Sequence, residues 1–280
     1  MSFMEQSHRK AGSAALMLLS LFCSQVASAQ APTKTTQSQS DTEYLEGAVL
    51  WQQTSGERRA LSYQAFALAR MMLDRDLRMN HRNWRQRAII VDLDETILDN
   101  SRNEARIVKE GVPFTPDSFT AWVNRAECDA VPGAVGFLRY ANSRRVRIFY
   151  VSNRKQIERE GTARNLKKLG FPNVNDETLL LRPESGEMIK EPRRVAVSAR
   201  YRIVLLMGDD LNDFAAVFEN SKTIDSRNES VEQNKAQFGT RFIVLPNPMY
   251  GNWETAIYGF GSKLSEAEQA AIRKRTLKAY

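Results

Sequence analysis

The sequence predicts an α/β protein with a Rossmann-like parallel sheet, helices on both faces of that sheet, and a small α-helical cap. Short apolar runs of strand length recur along the chain, and each ends in polar residues. Helical stretches separate these runs, and strands that alternate with helices form parallel sheets with right-handed crossovers. The predicted strands are 88–91 before Asp92, 146–151 before Ser152, 178–181, 203–207 before Gly208 and Asp209, and 241–245 before Pro246.

The helices are predicted from capping patterns and apolar periodicity. Thr54 and Glu57 form a T-x-x-E capping box, so a helix should follow to about Met79. The stretch 155–169 has the length and composition of a crossover helix. A second capping pattern at Ser265 opens a helix near the C-terminus. These elements place helices before, between and after the strands.

Composition divides the chain into five segments. The segment between the first two strands is longer than a crossover needs, so we assign it to the cap together with the N-terminal helices. The predicted segments are a signal peptide at 1–29, a disordered tether at 30–40, N-terminal cap helices at 41–84, a catalytic core at 85–250 with a cap insert at about 102–131, and a C-terminal helical segment at 251–280.

The first 29 residues have the features of a secretory signal. A basic stretch at 8–10 precedes an apolar region at 11–26, and Ala27–Ala29 fits the rule of small residues at a cleavage site. The expected location is therefore the periplasm or the exterior. The alternative is a lipid anchor at Cys23 in the outer membrane, which the bulky Phe22 before that cysteine disfavours.

Charge and cysteine content narrow the classes of function. The net charge of +7 suits anionic ligands, but no basic and aromatic groove pattern predicts binding to a nucleic-acid polymer. Only Cys128 remains after signal cleavage, so no intrachain disulfide is expected. The apolar leader is too short to favour a transmembrane span. The sequence leaves a homodimer open.

Carboxylates gather at the predicted strand ends. Asp92 and Asp94 are two residues apart and face the same side of a strand, while Asp209 and Asp213 follow a later strand. Ligands of open α/β sheets bind at this edge, and clustered carboxylates there suit Mg²⁺. Taken alone, Asp94 or Asp99 could instead cap a helix.

Further polar residues complete the set of side chains that phosphoryl transfer requires. One carboxylate can attack phosphorus and another can act as acid and base, while Ser152 and Lys190 bind phosphoryl oxygens. Asn153 and Arg154 follow Ser152 and are candidates for substrate binding. Each residue also has a simpler explanation: Lys190 alone would be a surface lysine, and Ser152 a turn residue.

The motifs VDLDETILDNS, VPGAVGFLRYAN, IFYVSNR, GDDLNDF and IVLPNPMYGNWE resemble a known family. That family is the class C, four-aspartate acid phosphatases of haloacid-dehalogenase subfamily IIIB, which include bacterial outer-membrane 5′-nucleotidase lipoproteins. The resemblance runs from about residue 45 to residue 254. It implies the haloacid-dehalogenase core with a cap, and a phosphomonoesterase.

The resemblance also assigns roles to residues. Asp92 resembles the nucleophile and a metal ligand, and Asp94 resembles the acid/base that also offers its backbone carbonyl to Mg²⁺. Asp209 resembles a metal ligand, and Asp213 an outer aspartate of the metal site. Tyr250 matches an aromatic residue that stacks on the substrate base. Ser152 and Lys190 match the phosphate-handling positions.

Two positions depart from the family pattern. Asn103 stands where an aromatic residue is expected, which predicts a looser nucleobase clamp, and Asp210 adds a charge next to Asp209. Trp122 and Trp253 are further stacking candidates, with membership of the cap core as the alternative.

The expected function is a secreted, Mg²⁺-dependent acid phosphatase that prefers 5′-nucleoside monophosphates and forms an aspartyl-phosphate. A phosphotransferase and a non-catalytic surface binding protein are the alternatives.

Overall fold

The computed structural model describes residues 42–79 and 85–280. The predicted signal peptide, the alternative lipid anchor at Cys23 and the tether at 30–40 lie outside the described residues. Within the described ranges, no helix combines the length and the apolar character that a bilayer crossing requires.

A five-stranded parallel sheet forms the centre of the fold, in the order β5-β4-β1-β6-β7. A separate two-stranded antiparallel ribbon pairs β2 with β3. The sheet confirms the predicted α/β class, and all five predicted strands are present. The strands are β1 Arg87–Val91, β2 Leu98–Asp99, β3 Asp129–Ala130, β4 Arg147–Val151, β5 Leu179–Leu180, β6 Arg202–Gly208 and β7 Phe242–Val244.

Helices precede, connect and follow the strands. They are α1 Glu46–Thr54, α2 Gly56–Met79, α3 Ser101–Glu110, α4 Pro116–Arg125, α5 Ala134–Ser143, α6 Arg159–Leu169, α7 Glu191–Arg200, α8 Ala216–Asn220, α9 Ile224–Asn234, α10 Asn252–Tyr258 and α11 Glu266–Thr276. Short 3₁₀ turns cover Glu43–Leu45, Gln156–Glu158, Leu211–Asp213 and Lys235–Gln237.

One predicted helix cap is shifted by a residue. Thr54 ends α1 and donates its hydroxyl to the carbonyl of Leu50, so it cannot cap the next helix. Ser55 accepts a hydrogen bond from the backbone N–H of Arg58 at 3.0 Å and takes that role. The second predicted box is confirmed, because Ser265 accepts from the N–H of Glu268 at the start of α11.

The pleat of the central strand divides the core in two. Ile89 and Val91 face one apolar cluster, which includes residues of α2, α5 and α6, while Ala88 and Ile90 face the other, which includes Val197 of α7. Both faces of the sheet are therefore covered by helices, as the near-continuous apolar runs predict.

The insert after β1 folds into α3, α4 and the β2–β3 ribbon. α1 packs against α3, so the N-terminal helices and the insert meet, as their assignment to one cap requires. α4 packs against α6 of the core. The exact boundaries of the cap stay a prediction.

Candidate active site

Three carboxylates meet where β1 and β6 end. Oxygens of Asp92, Asp209 and Asp213 all lie within 4.8 Å of one another. β1 and β6 are neighbours in the sheet, and the backbone N–H of Asp92 extends their pairing by donating to the carbonyl of Met207 at 2.9 Å. This pairing brings together acids that are more than a hundred residues apart.

Lys190 joins the cluster from the start of α7. Its ammonium nitrogen lies 2.5 Å from Oδ1 of Asp92 and 2.6 Å from Oδ1 of Asp213. The Lys190 side chain is only 8% exposed, so the alternative of a surface lysine does not hold. The backbone N–H of Lys190 donates to Glu219 at 2.7 Å, which fixes the start of the helix.

The cluster has more negative charge than its lysine neutralises, since three carboxylates face one ammonium. Burial raises the pKa of Asp209 well above its usual value, and the charges of Asp213 and Asp92 raise it further. Burial likewise raises the pKa of Asp92, against the opposing effect of Lys190. Such a group of carboxylates, two of them buried and the third partly exposed, is costly unless a cation balances it, and it fits a hard divalent metal ion.

Asp94 follows β1 as Asp92 does, but its carboxylate is bound by different partners. Oδ1 accepts hydrogen bonds from Arg154 at 2.7 and 3.0 Å and from the amide of Asn100 at 2.8 Å. Burial raises the pKa of Asp94, but the charge and hydrogen bonds of Arg154 outweigh it and lower the pKa overall. The two aspartates of the motif therefore have opposite electrostatic environments.

Arg154 was expected to bind substrate; it lines a cavity beside Asp94, and its guanidinium is bound to Asp94. The side chain is buried and its guanidinium is shared between Asp94 and the hydroxyl of Thr162. The buried Ser152 accepts the backbone N–H of Arg154 at 3.1 Å, and its Oγ lies 3.5 Å from Oδ2 of Asp94. Arg154 and Ser152 thus hold Asp94 from one side.

Asn100, which was not among the predicted site residues, holds Asp94 from the other side. The indole N–H of Trp122 donates to Oδ1 of Asn100 at 2.9 Å. An indole N–H can only donate, so the amide nitrogen of Asn100 must face Asp94. Trp122 is 9% exposed and lies in the core, which contradicts its expected place on the substrate.

Arg193 of α7 was also missed, because nothing in its sequence neighbourhood distinguishes it from a surface arginine. It donates to Oδ1 of Asn153 at 2.7 Å and to the carbonyl of Ser152 at 2.7 Å. Asn153, an expected substrate ligand, stays partly exposed and lines the adjoining cavity.

A cavity of about 510 Å³ opens beside Asp94, a volume typical of small-molecule sites. Its aromatic wall is formed by Tyr44, Phe114, Phe119 and Tyr250. Of the expected stacking residues only Tyr250 belongs to this wall. Phe114 and Phe119 lie in the same insert as Trp122, and only the fold of that insert decides which of these aromatics faces the cavity.

Asn103 does not belong to this wall. Asn103 is 2% exposed, lies within α3 and does not line the cavity. The aromatic residues of the cavity come from other elements, and the effect of Asn103 on a nucleobase clamp stays a prediction.

Tyr250 is held by a residue of the first motif. Its hydroxyl donates to the carboxylate of Glu95, which also accepts the backbone N–H of Asn100 at 2.7 Å. Trp253 is instead 44% exposed, donates to the carbonyl of Tyr250 and lines a separate, smaller cavity beside Asp209.

The extra charge at Asp210 has partners of its own. Its carboxylate accepts the backbone N–H of Asn252 at 2.7 Å and lies 3.4 Å from the guanidinium of Arg227. These contacts connect the turn after β6 with the start of α10 and with α9.

Comparison with known proteins decides the family. A model of the acid phosphatases of haloacid-dehalogenase subfamily IIIB matches residues 4–253. The chain belongs to this family. It is an acid phosphatase of the haloacid-dehalogenase class C type, and thus a phosphomonoesterase whose three-aspartate cluster suits the divalent metal of such enzymes.

Solved structures of similar acid phosphatases support the same conclusion. The class C acid phosphatase from Bacillus anthracis is 41% identical, with a TM-score of 0.81, over 86% of this chain and 99% of that chain. A structure of the Bacillus anthracis class C enzyme with tungstate bound is 42% identical, with a TM-score of 0.81, over 85% of this chain and 98% of that chain. Among curated proteins, the stem 31 kDa glycoprotein of Glycine max is 25% identical over 212 residues, which are 74% of this chain and 71% of that protein.

Proposed function

We propose that this acid phosphatase is a secreted, Mg²⁺-dependent enzyme that hydrolyses 5′-nucleoside monophosphates through an aspartyl-phosphate on Asp92. The observation that carries the proposal is the division between the two aspartates of one motif. Asp92 lies among the clustered carboxylates, while Asp94 is held outside that cluster by Arg154 and Asn100. One aspartate can therefore act as nucleophile while the other handles the proton.

Asp92, Asp209 and Asp213 would hold the magnesium ion, and the family resemblance adds the backbone carbonyl of Asp94. Mg²⁺ prefers carboxylate oxygens and keeps part of its water shell, which suits a cluster of three acids. When bound, the ion supplies positive charge that reduces the repulsion between these carboxylates and an incoming phosphate.

In the first step, a carboxylate oxygen of Asp92 attacks phosphorus. Lys190 binds Oδ1 of Asp92, whereas Oδ2 accepts no hydrogen bond from the described residues and is the free nucleophile. The new bond from Oδ2 to phosphorus forms as the bond to the leaving oxygen breaks. Asp94 donates a proton to that oxygen, so the leaving group departs as a neutral alcohol.

The environment of Asp94 makes this proton transfer depend on substrate. Without substrate, Arg154 keeps the pKa of Asp94 below its usual value. A phosphate group placed next to Asp94 adds negative charge, which raises the proton affinity of the carboxylate. In the second step, Asp94 takes a proton from water, the water oxygen bonds to phosphorus, and inorganic phosphate leaves as Asp92 is regenerated.

Lys190 and Ser152 support the phosphoryl group. The ammonium of Lys190 lies against the nucleophile, where it can offset charge on the phosphoryl oxygens. Ser152 lies at the end of β4 with its hydroxyl near Asp94. A structure of the similar Bacillus anthracis class C enzyme has tungstate bound, a tetrahedral oxyanion like phosphate, which supports oxyanion binding by this chain.

The nucleotide preference rests on the cavity beside Asp94. Phe119 and Tyr250 offer aromatic faces to a nucleobase, and stacking is worth about 1–3 kcal/mol per base. A nucleoside whose leaving oxygen lies at Asp94 would extend into this cavity and contact these rings. A small phosphate ester without a base gains nothing from them.

Export rests on the sequence at 1–29. The mature protein would begin at Gln30, in the periplasm or outside the cell. Mass spectrometry of the exported protein tests this, and a diacylglyceryl group on an N-terminal Cys23 would establish the lipid-anchored alternative instead.

The function is tested by phosphate release from a panel of nucleoside monophosphates and phenyl phosphate, with Mg²⁺ or with chelator. We expect Mg²⁺-dependent turnover and a preference for nucleotides. Asp92→Asn should lose on the order of 10³-fold in kcat while its thermal unfolding stays close to that of the wild type. Near wild-type turnover by a folded Asp92→Asn protein would contradict the nucleophile assignment. Transfer to an added alcohol, measured alongside, separates hydrolysis from phosphotransfer.

A further inference from the structure

Glu104 is a buried acid in the wall of the substrate cavity with no role in the phosphoryl-transfer mechanism. It lies in the first part of α3 and is 6% exposed. Asn103 donates to its Oε1 at 3.0 Å. Oε2 accepts no hydrogen bond from the described residues, and no cation among them lies within ion-pair distance.

The other carboxylates of this cavity, those of Asp94, Glu158 and Glu254, each have a partner. Asp94 is paired with an arginine. Both oxygens of Glu158 accept hydrogen bonds, one from Thr120 and one from a backbone N–H, and Glu254 accepts the hydroxyl of Tyr258. Glu254 is partly exposed to water, whereas Glu104 is buried. Glu104 is therefore the buried carboxylate of this cavity with an oxygen left for a ligand.

The position of Glu104 sets which part of a ligand it can reach. Its backbone N–H donates to the carbonyl of Asn100, so the two residues are one helical turn apart, or about 6 Å along the axis. The side chain of Asn100 holds Asp94. Glu104 and Asp94 line the same cavity, so a leaving group that fills this cavity would come close to Glu104.

We propose that Glu104 is a specificity-determining residue whose free carboxylate oxygen accepts a hydrogen bond from an O–H or N–H donor of the nucleoside leaving group. The donor is a ribose hydroxyl or an exocyclic amine of the base, and both present the same chemistry to a carboxylate. The inference rests on the proposed nucleotide substrate.

The same geometry predicts how the enzyme rejects other leaving groups. A leaving group without a suitable donor displaces water from the cavity and leaves the buried oxygen unpaired. Sites built to hydrogen-bond a substrate discriminate most strongly against analogues that lack the bonding group. Glu104 should therefore lower turnover of leaving groups that carry no donor at this position.

Two variants at Glu104 and a matched control test the proposal. Glu104→Met keeps an unbranched side chain but removes the acceptor, whereas Glu104→Gln keeps a neutral acceptor of the same shape. Glu110→Met is the control, because Glu110 is on the same helix, is exposed and is paired with Arg106 outside the cavity.

The substrates are AMP with 2′-deoxy-AMP, GMP with IMP, and phenyl phosphate. We expect Glu104→Met to lower kcat/KM for the preferred nucleotide by roughly tenfold or more, and Glu104→Gln to lower it less. Collapse of the AMP preference over 2′-deoxy-AMP assigns the bond to the ribose, and collapse of the GMP preference over IMP assigns it to the base amine. Glu110→Met should change little, and Glu104→Met should not lower turnover of phenyl phosphate, because phenyl phosphate has no donor whose bond to Glu104 could be lost.

Failure of the inference can be told apart from failure of the proposed function. A wild-type enzyme that does not prefer nucleotides over phenyl phosphate would remove the proposed function and this inference with it. A wild-type preference that survives both Glu104 substitutions would overturn the inference alone. Equal losses for phenyl phosphate and nucleotides would show that Glu104 supports the fold, and thermal unfolding of Glu104→Gln checks that reading directly.

Discussion

Replacing Lys190 with methionine should separate metal affinity from turnover. The ammonium of Lys190 contacts Asp92 at 2.5 Å and Asp213 at 2.6 Å in a site where all three side chains are less than a tenth exposed. Methionine has a similar length but no charge. The substitution leaves two buried carboxylates without their cation, next to a third at Asp209.

The size of the effect follows from this burial. Removing one partner of a buried ion pair costs about 3–5 kcal/mol, and here two carboxylates lose the same partner. In chelator, the free energy of unfolding of Lys190→Met should therefore be lower than that of the wild type by about 3–5 kcal/mol, and its unfolding midpoint should lie at a lower denaturant concentration. Turnover should fall on the order of 10³-fold, because a charge next to the nucleophile is lost.

Affinity for Mg²⁺ should change in the opposite direction. A lysine beside the metal-holding carboxylates repels a cation, and two unit charges about 4 Å apart interact by about 4 kcal/mol at an effective dielectric of 20. Relief of about 1.4 kcal/mol, roughly a third of this repulsion, would already raise Mg²⁺ affinity about tenfold. Saturating Mg²⁺ should then restore much of the lost stability, since a ligand stabilises the folded state that binds it.

The assays are denaturant unfolding with chelator and with Mg²⁺, and calorimetric titration of Mg²⁺ near neutral pH. Lys235→Met is the matched control, because the Lys235 side chain is 76% exposed and pairs with the exposed Glu232. A Lys190→Met protein that is as stable as the control in chelator, or that binds Mg²⁺ more weakly than the wild type, would refute this account of the charge balance.

Three further predictions follow from other parts of the structure. Asp94→Asn and Asp209→Asn should both lose turnover, but metal titration should show the larger loss of affinity for Asp209→Asn, and equal losses would contradict the division of roles. Tyr250→Ala should lower kcat/KM for a nucleotide by roughly tenfold and barely change that for phenyl phosphate, whereas Tyr250→Phe, which loses only the bond to Glu95, should keep most of the nucleotide preference. Burial raises the pKa of Asp76, but hydrogen bonds from two arginines outweigh it and lower the pKa overall. Asp76 therefore stabilises the fold above the unfolded-state pKa of about 4, and this stabilisation is lost as pH falls through the lower folded-state value. Denaturant unfolding should show a steeper loss of stability below about pH 4 for the wild type than for Asp76→Asn, and parallel curves would argue against it.

The strand ends could be predicted from sequence because a buried strand has a local signal, a short apolar run that ends in polar residues. Four apolar residues followed by Asp92 already specify a buried strand and a polar edge. Parallel strands place their carboxyl ends along one edge of the sheet. That rule alone brings Asp92, Asp209 and Ser152 to one place, and the described fold bears out this arrangement.

Only the tertiary structure decided what each polar side chain bonds to. Arg154 and Lys190 are both cations near predicted strand ends, yet one holds Asp94 and the other holds Asp92. Spacing along the chain cannot separate these outcomes. They depend on how the segment after β4, which holds Arg154, and the start of α7, which follows Lys190, direct these side chains toward the edge of the sheet.

The aromatic residues of the insert show the same limit. Phe119 lines the cavity, while Trp122, three residues later on the same helix, is buried with its indole bonded to Asn100. Residues three apart lie close together on a helix surface, so periodicity alone does not decide which of them meets solvent and which meets the core. The sequence by itself determined which segments form strands and which acids follow them at the edge of the sheet. The packing of the insert on the sheet decided the substrate wall, because that packing depends on contacts between segments far apart in the chain.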